Sequence, residues 1–427
     1  MINALPRLST NAYEPEVIIE KLISSNKANI ESWFRDQWQQ TQAPFYASVD
    51  LRNAGIKLAP VDTNLFPAGF NNLHSSFDPL CIHAIQSALE KSAPQAKNIL
   101  LIPENHTRNS FYFSNINKLQ NLLIEAGYSV RLGTLNKEIK SPLQIDLITG
   151  GRLVLQPIKR ENNRITTEDF DPCVILLNND LSDGTPDIFH NVDQIIMPPT
   201  SLGWSFRTKS GHFSHYSQVA REFCNSFDID PWLIDPMYTN CGEIDFLNRS
   251  GEQCIERNVK YMLDAIQAKY NEYGIDKKPF VVVKADSGTY GMGIMAVSSP
   301  EEVTNLNRKQ RKKMASAKGK LETSRVIIQE GVYSSETVGD ANSVAEPVVY
   351  MIDHHVVGGF YRVHKDRKDN ENLNAPGMHF EQLTFACEDD TKQCLCKQNS
   401  AQNRFYAYGV VARLALLAAA REIAEVS

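Results

Sequence analysis

The spacing of apolar residues changes along the chain, and each spacing predicts a different kind of element. Between residues 80 and 200, short apolar runs alternate with segments in which apolar residues recur every three or four positions. The predicted strands are 98–102, 130–132, 153–155, 174–177 and 194–197, and the predicted helices are 82–92 and 115–126. Such alternation favours a three-layer α/β domain with a largely parallel sheet. Ligands usually bind beyond the carboxyl ends of these strands.

The segments on either side carry further helical and strand patterns. Helical spacing predicts a helical hairpin at 13–42, single helices at 252–271 and 301–320, and an alanine-rich and leucine-rich helix at 404–426. Apolar runs predict strands at 280–283, 294–297 and 325–330, and a hairpin of 346–353 and 356–364 that turns at His354 and His355. Residues 61–72 mix asparagine, aspartate, proline and glycine with aromatic residues, which predicts a loop.

The segment 280–297 is the strongest candidate for chemistry. Its first strand closes on Lys284, and Gly288, Gly291 and Gly293 follow before the second strand begins. A lysine that closes a buried strand is costly unless an anion meets it, and loop glycines let backbone N–H groups approach that anion, so the pattern predicts a phosphate site. The dinucleotide fingerprint and the P-loop are excluded, because the glycine order differs and G-K-[ST] is absent. The alternative is an ordinary glycine hairpin whose lysine reaches solvent.

Composition limits the classes of partner. The chain has 427 residues, a net charge of -6 and a pI near 6.0, which argue against a nucleic-acid-binding protein. Any anionic ligand must therefore meet a local cluster of basic groups. Eight scattered cysteines are too few for a disulfide scaffold and predict reduced thiols. No apolar run is long enough for a membrane helix and no signal peptide is evident, so we expect a cytoplasmic protein.

Three polar segments could hold a polar substrate. The candidates are Asp62, Asn64 and Asn71 in the predicted 61–72 loop, Arg108 after the first predicted strand, and Arg207 and Lys209 in the segment 198–213. A guanidinium pairs with a carboxylate through two hydrogen bonds, so Arg108 is the candidate for a substrate carboxylate. The alternatives are a solvated loop arginine, asparagines and aspartates that satisfy their own backbone, and a domain linker at 198–213.

The order of these elements resembles the ATP-grasp ligases. A lysine strand, a glycine hairpin, a basic helix, a Q-E-G-V strand and an apolar hairpin ending in Arg362 resemble the ATP domain of glutathione synthetase, and Asn372-Leu373 resembles the start of its N-L-A-A-G-G motif. The segments 284–294, K-A-D-S-G-T-Y-G-M-G-I, and 61–72, V-D-T-N-L-F-P-A-G-F-N-N, more closely resemble the proteobacterial glutamate-cysteine ligase family with an ATP-grasp fold. This second resemblance covers nearly the whole chain.

The resemblance implies an α/β (α+β) fold in which an N-terminal three-layer α/β domain precedes an ATP-grasp domain. The implied division is a helical segment and substrate loop at 1–78, a substrate domain at 79–250 and a nucleotide-binding domain at 251–427. Lys284 and Arg362 are the implied catalytic residues. The implied ATP-binding residues are Lys284, Ser287, Gly288, Gly291, Gly293, Gln329, Glu330 and Val332.

The metal ligands require a separate choice. Glutathione synthetase takes them from an E-x-N strand near its C-terminus, and no such strand follows the predicted final helix of this sequence. The best oxygen donors that remain are Glu346, Glu371, Asn372 and Asn374. Carboxylate and amide oxygens suit Mg²⁺, which is the metal that the resemblance implies beside ATP.

The implied reaction is the first step of glutathione biosynthesis. ATP phosphorylates the γ-carboxylate of L-glutamate, and the amine of L-cysteine then displaces the phosphate. Positioning and cations carry such a reaction, so no protein nucleophile is required. The alternatives are glutathione synthetase, another ATP-grasp carboxylate-amine ligase, or a non-catalytic ATP-binding regulatory protein. The expected partners are small-molecule substrates, with neither nucleic acid nor membrane, and a homo-oligomer is possible.

Overall fold

The computed structural model describes residues 8–9, 18–105, 109–148, 150–287, 293–315, 323–339, 342–382, 384–385 and 404–426. In these residues, helices α1 to α9 span Ile18–Ser25, Lys27–Gln40, Asp78–Ser92, Ser110–Glu125, Lys209–Phe227, Glu252–Tyr273, Glu301–Thr304, Arg308–Ala315 and Arg404–Val426. Strands β1 to β20 span Leu8–Ser9, Tyr46–Asn53, Leu58–Asn64, Asn98–Pro103, Ser129–Thr134, Leu143–Asp146, Arg152–Pro157, Lys159–Glu161, Arg164–Thr166, Val174–Asn178, Ile195–Met197, Tyr238–Cys241, Val281–Ala285, Ile294–Val297, Val326–Glu330, Thr337–Val338, Ser343–Ile352, His355–His364, His379–Gln382 and Thr384–Phe385. Short 3₁₀ turns lie at Phe70–Asn72, Ser75–Phe77, Asp187–Phe189, Thr200–Leu202 and Pro231–Leu233.

The region of alternating strands and helices forms a six-stranded sheet in the order β11-β10-β4-β5-β7-β6. Neighbouring strands are parallel except for β6, which runs antiparallel to β7. Alternate residues of β4 face opposite layers: Ile99 and Leu101 lie in the core formed with α3 and α4, whereas Leu100 lies in the core that includes α5. Both faces are therefore covered, and the predicted three-layer α/β arrangement is confirmed.

Lys284 lies on a four-stranded antiparallel sheet, the lysine sheet, in the order β12-β15-β13-β14. The strands β13 and β14 are those predicted on either side of the glycine loop, and they pair so that Lys284 lies opposite Ile294. Helix α6 packs on this sheet and buries an apolar face that includes Val259 and Ile266. The edge strand β12 was not predicted, because four residues with one buried side chain carry little apolar signal.

Arg362 lies on a third sheet, the arginine sheet, in the order β19-β18-β17-β2-β3, with β16 also paired to β17. The predicted hairpin is present as β17 and β18. Its turn consists of Asp353 and His354, one residue earlier than predicted, because Ile352 already pairs with His355. Asp353 has a φ of 48°, a left-handed conformation that aspartate tolerates in tight turns.

Strands β2 and β3, from the N-terminal part of the chain, complete the arginine sheet. Strand β2 pairs with β17, so that Asp50 lies opposite Val348. Residues 61–64, predicted as part of a loop, instead form the end of β3 and pair with β2. Helix α9 packs across β2, β3 and β17 and against α5, with the interior of the helix almost fully buried.

The charged segment predicted as one helix at 301–320 is instead two helices, α7 and α8, within the described residues. Asn307 separates them, because its side chain accepts a hydrogen bond from the backbone N–H of Gln310 at 3.0 Å. The side chain of Gln310 accepts in return from the backbone N–H of Asn307 at 2.9 Å. This reciprocal capping box begins a new helix. Residues 316–320 lie outside the described part of the chain.

The predicted domain boundaries at 78 and 250 stay a prediction. Residues 46–64 of the first predicted segment pair into the arginine sheet, and residues 238–241 of the second pair into the lysine sheet. Two of the sheets thus combine strands from different predicted segments. Among the helices that the structure describes, none has the length and apolar character needed to cross a membrane.

Candidate active site

A cleft of about 1030 Å³ opens between the lysine sheet, the arginine sheet and one end of the parallel sheet. Lys284 and Gln329 line it from the lysine sheet, and Asp50 and Arg362 line it from the arginine sheet. Asn178, the last residue of β10, contributes from the carboxyl end of the parallel sheet. Polar and charged side chains from all three sheets therefore converge on one space.

Lys284 is a buried cation in the lining of this cleft, with 6% of its surface exposed. Its Nζ donates a hydrogen bond to the carbonyl oxygen of Val61 at 2.6 Å and lies 5.8 Å from the centre of the Phe213 ring. Burial lowers the pKa of Lys284 to about 8, although the nearby Asp62 carboxylate opposes this effect. The carboxylate of Asp62 thus offsets only part of the cost of burying the Lys284 ammonium group. An anion bound in the cleft would stabilise that charge further.

Lys209 and Asp62 form an ion pair beside Lys284, with Nζ and Oδ1 2.6 Å apart. Asp286, two residues after Lys284, positions Lys209 because it binds the first turn of α5: its carboxylate accepts from the backbone N–H of Ser210 at 2.8 Å. Burial alone would raise the pKa of Asp62, but Lys209 and then Lys284 outweigh it and lower the pKa to about 2. The cleft thus holds an ionised carboxylate and two ammonium groups close together.

Arg362 lies between two carboxylates on neighbouring strands. Its Nη1 donates to Asp50 Oδ2 at 2.9 Å and to Glu346 Oε1 at 2.5 Å. Its buried Nε has no hydrogen-bond partner in the described part of the chain. Burial raises the pKa of Asp50 despite the neighbouring Arg362, and the negative charge of Glu346 adds to the rise. Glu346 Oε2 also accepts from Arg52 Nε at 3.2 Å, so two carboxylates and two guanidinium groups lie side by side in the cleft, where they suit a ligand that brings both cations and anions.

Gln329 and Glu330 direct their side chains to opposite sides of the lysine sheet, because successive residues of a strand alternate. Gln329 lines the cleft and is 2% exposed, and its Nε2 has no hydrogen-bond partner among the residues described. The carboxylate of Glu330 is already engaged, since it accepts from Lys57 Nζ and Trp232 Nε1, each at 3.0 Å. The unpaired amide of Gln329 is therefore the side-chain donor that this strand offers to a ligand, beside the lining residue Val332.

Comparison with known proteins assigns the chain to a family. The model of the family GshA, described as glutamate-cysteine ligase, matches residues 20–423. The chain belongs to the glutamate-cysteine ligase family. A solved structure from Methylobacillus flagellatus KT, described provisionally as a gamma-glutamylcysteine synthetase, is 53% identical, with 99% of each chain covered and a TM-score of 0.86. None of the curated proteins matches the chain.

Two other solved structures are more distant. A glutathione synthetase like-effector from Globodera pallida is 10% identical, with 85% of this chain and 79% of that chain covered and a TM-score of 0.38. D-alanyl-alanine synthetase A from Vibrio cholerae is 10% identical, with 74% of this chain and 81% of that chain covered and a TM-score of 0.34. Similarity at this level carries no argument about the site. Membership of the glutamate-cysteine ligase family confirms the predicted fold class and the predicted ATP-dependent ligase.

The other predicted site residues of this glutamate-cysteine ligase family member fall into four groups. Those that line the cleft are Asn64, Ser287, Glu371, Asn372 and Asn374. Gly293 ends the glycine loop with a φ of 61°, which favours glycine, whereas Arg108, Gly288 and Gly291 lie outside the described residues. Asn71 and Arg207 are not among the lining residues: Asn71 is exposed and donates to the side chain of Asn72 at 3.3 Å, and Arg207 is buried elsewhere.

The predicted metal ligands differ in what their oxygens already bind. The carboxylate of Glu346 accepts from Arg362 Nη1 at 2.5 Å and from Arg52 Nε at 3.2 Å, both of which line the cleft. That of Glu371 accepts within its own loop, from Arg367 Nη1 at 3.0 Å and from the backbone N–H of Lys368 at 2.8 Å. The side-chain oxygen of Asn372 accepts from the backbone N–H of Asn374 at 3.0 Å. Glu371 and Asn372 therefore stabilise their own loop, and their role as metal ligands stays a prediction.

Sequence reasoning did not single out Asp50, although a local signal was present. Ser48, Asp50 and Arg52 are polar and line the cleft, and the intervening Val49 and Leu51 are fully buried. This strict alternation is typical of a strand with one apolar face and one polar face. It indicates that three polar side chains share the face that carries Asp50.

Arg207, Glu422 and His212 form a buried polar network behind the cleft. Arg207 donates from Nε and Nη2 to the carboxylate of Glu422 at 2.9 and 3.1 Å, and from Nη1 to the carbonyl oxygen of Thr63 at 2.8 Å. His212 lies 3.3 Å from the same carboxylate and 2.9 Å from the hydroxyl of Thr63. The network joins α5 and α9 to β3, which carries Asp62. Arg207 therefore positions the site instead of lining it.

Replacing Glu422 by glutamine should lower the free energy of unfolding by about 3–5 kcal/mol at pH 7, because Arg207 would remain buried without its counter-charge. Burial opposes ionisation of Glu422, but Arg207 and His212 lower its pKa to about 2. The contribution is present above the unfolded pKa near 4.5 and is lost as the pH falls towards 2. Urea denaturation at several pH values measures it. Glu425→Gln, an exposed position on the same helix, is the control, and equal losses in both variants would contradict the network.

Proposed function

We propose that this protein joins the γ-carboxylate of L-glutamate to the amine of L-cysteine, with ATP and Mg²⁺. The observation that carries the proposal is the convergence of Lys284, Arg362, Asp50 and Glu346 in one cleft of a glutamate-cysteine ligase family member. Buried cations stabilise the charge that develops on a transferring phosphoryl group, and buried carboxylates suit a divalent cation beside it.

The cleft residues fit ATP. The unpaired buried amide of Gln329 is a donor for the adenine ring, and Val332 adds apolar surface beside it. Lys284 lies on the next strand, β13, where its ammonium group would bind the phosphates. The glycine loop follows Lys284 directly in the sequence, so its backbone N–H groups would bind the same phosphates, as the sequence predicts.

The cleft residues also fit Mg²⁺. This ion is usually bound through one or two carboxylates together with substrate phosphates and waters, and Asp50 and Glu346 supply two neighbouring carboxylates. Mg²⁺ would neutralise phosphate charge there. Arg362, which both carboxylates orient, would bind the transferring phosphoryl group.

The ion pair of Lys209 and Asp62 fits an amino-acid substrate. An α-carboxylate would bind the ammonium of Lys209, and an α-ammonium group would bind the ionised Asp62 carboxylate. Asn64, at the end of the same strand as Asp62, supplies an amide to the same wall of the cleft. Binding in this way would hold the substrate for reaction without any covalent bond to the protein. A cytoplasmic location, the absence of a nucleic-acid partner and a possible homo-oligomer stay predictions.

Magnesium-dependent release of ADP by the purified protein tests the proposal. We expect release only when glutamate and cysteine are both present, and we expect Arg362→Met to abolish it. Lys260→Met, an exposed lysine paired with Asp264 on α6, is the matched control and should retain full activity. Release only with γ-glutamylcysteine and glycine would identify a glutathione synthetase. ATP binding without turnover in any mixture would identify a regulatory protein.

A further inference from the structure

Two cysteines of the lysine-sheet region lie in contact with each other, and neither is among the residues that line the cleft. Cys241 is the last residue of β12 and is 3% exposed, whereas Cys254 lies in the first turn of α6 and is partly exposed. Their Sγ atoms are 3.0 Å apart, about 1 Å more than the length of a disulfide bond. We propose that Cys241 and Cys254 are a modification site, at which a low-molecular-weight disulfide oxidises the two thiols to a reversible intramolecular disulfide.

The surroundings assign different roles to the two thiols. Cys254 lies at the N-terminal end of a 22-residue helix, and its partial exposure admits an oxidant. The side-chain amide of Asn258, one turn along α6, donates to Cys241 Sγ at 3.0 Å and to Cys254 Sγ at 3.5 Å, so it holds both sulfur atoms together. Cys241 is buried, which also raises its pKa to about 12, so the more exposed Cys254 is the thiol that reacts first.

The oxidation proceeds by two thiol–disulfide exchanges. The Cys254 thiolate attacks one sulfur of the oxidant and forms a mixed disulfide with it. The S–S bond of the oxidant breaks, and the leaving thiolate takes up the proton that Cys254 released. Cys241 then attacks the Cys254 sulfur of the mixed disulfide, and its proton passes to the second leaving thiolate. The protein loses two electrons and two protons, and the oxidant is reduced to two thiol molecules.

The bond would join the edge strand of the lysine sheet to the helix that covers it. Strand β12 pairs with β15, where Tyr238 lies opposite the cleft residue Gln329, and α6 packs on β12, β13 and β15. A crosslink between Cys241 and Cys254 closes a short loop and restricts the unfolded chain. We therefore expect the oxidised protein to melt a few degrees higher than the reduced protein.

The experiment uses the full chain equilibrated in buffers of increasing glutathione disulfide to glutathione ratio, alkylated and mapped by peptide mass spectrometry without reduction. We expect a linked peptide pair that contains Cys241 and Cys254, reversed by dithiothreitol, and the higher melting temperature in the same samples. Two free alkylated thiols in the most oxidising buffer would overturn the proposal. So would a mixed disulfide that persists on Cys254 beside an alkylated Cys241.

Three variants distinguish this pair from other oxidations. Cys254→Ser and Cys241→Ser should each lose the linked peptide and the oxidant-dependent melting shift. Cys173→Ser, at another partly exposed cysteine, should keep both. A melting shift of equal size in Cys254→Ser would show that the stabilisation comes from a different modification and would overturn the assignment. The peptide map of the wild-type protein does not depend on the variants. If a variant fails to fold, the wild-type map still decides whether the disulfide forms.

Discussion

Replacing Lys284 by methionine should lower kcat/KM for ATP by about 10²–10³-fold. Methionine keeps much of the length and the apolar stem of lysine, so the loss reports the ammonium charge and not a cavity. The effect is large because the charge is buried in the cleft, where its attraction for phosphate is less screened than in water. Steady-state kinetics with varied ATP measure the loss, and Lys260→Met serves as the surface control.

The pH dependence of ATP binding gives a second readout at Lys284. Because its pKa in the free protein is about 8, the ammonium is present below that pH and is lost as the pH rises through it. The dissociation constant for ATP, measured by calorimetry, should therefore rise by up to about tenfold per pH unit above pH 8. In Lys284→Arg the side chain stays positively charged over this pH range, so the dissociation constant for ATP should no longer rise with pH. A wild-type constant that stays level between about pH 7 and pH 10 would contradict a phosphate-binding role for Lys284.

The strands around the cleft that the sequence predicted correctly are those with local signals. The strands β13 and β14 lie on either side of one glycine loop, and β17 and β18 are joined by a two-residue turn. Lys284 and Arg362 could be placed because each lies within or at the end of a continuous apolar run. The error at the hairpin turn is one residue, since strand periodicity does not fix where pairing stops.

The missed parts depend on contacts between residues far apart in sequence. Strand β2 is stabilised by pairing with β17, about 300 residues later, and no local pattern identifies that partner. The aspartate and asparagines at 62–72 suggested a loop, yet Asp62 and Asn64 lie on an edge strand whose register shifts at Pro60. Proline is tolerated in an edge strand at such an irregularity, so turn-type composition was misleading there.

The same long-range pairing changes which residues we expect to bind the metal. The sequence offered Glu346 together with Glu371, Asn372 and Asn374. In the structure, β2 places the Asp50 carboxylate on the strand next to β17, within reach of the same guanidinium group as Glu346. The N-terminal part of the chain thus contributes a candidate metal ligand, Asp50, that the sequence did not single out.

Replacing Asp50 by asparagine should raise the Mg²⁺ concentration needed for half-maximal activity by about 10–100-fold and lower the activity at saturation. The substitution keeps the shape of the side chain but removes one of the two charges available to a divalent cation. Activity measured against Mg²⁺ at fixed, saturating ATP separates the two effects. Glu371→Gln is the matched comparison, because the Glu371 carboxylate accepts hydrogen bonds within its own loop, from Arg367 and from the backbone of Lys368, and the substitution should leave the Mg²⁺ requirement unchanged.

The outcomes separate metal binding from the orientation of Arg362. If Asp50 acts only by holding the guanidinium, saturating activity falls while the Mg²⁺ requirement stays at its wild-type value. If Glu371→Gln shifts the Mg²⁺ requirement and Asp50→Asn does not, the ligands predicted from sequence bind the ion and the assignment of Asp50 is wrong. A shift in both Asp50→Asn and Glu346→Gln, with none in Glu371→Gln, would establish that β2 and β17 together hold the metal.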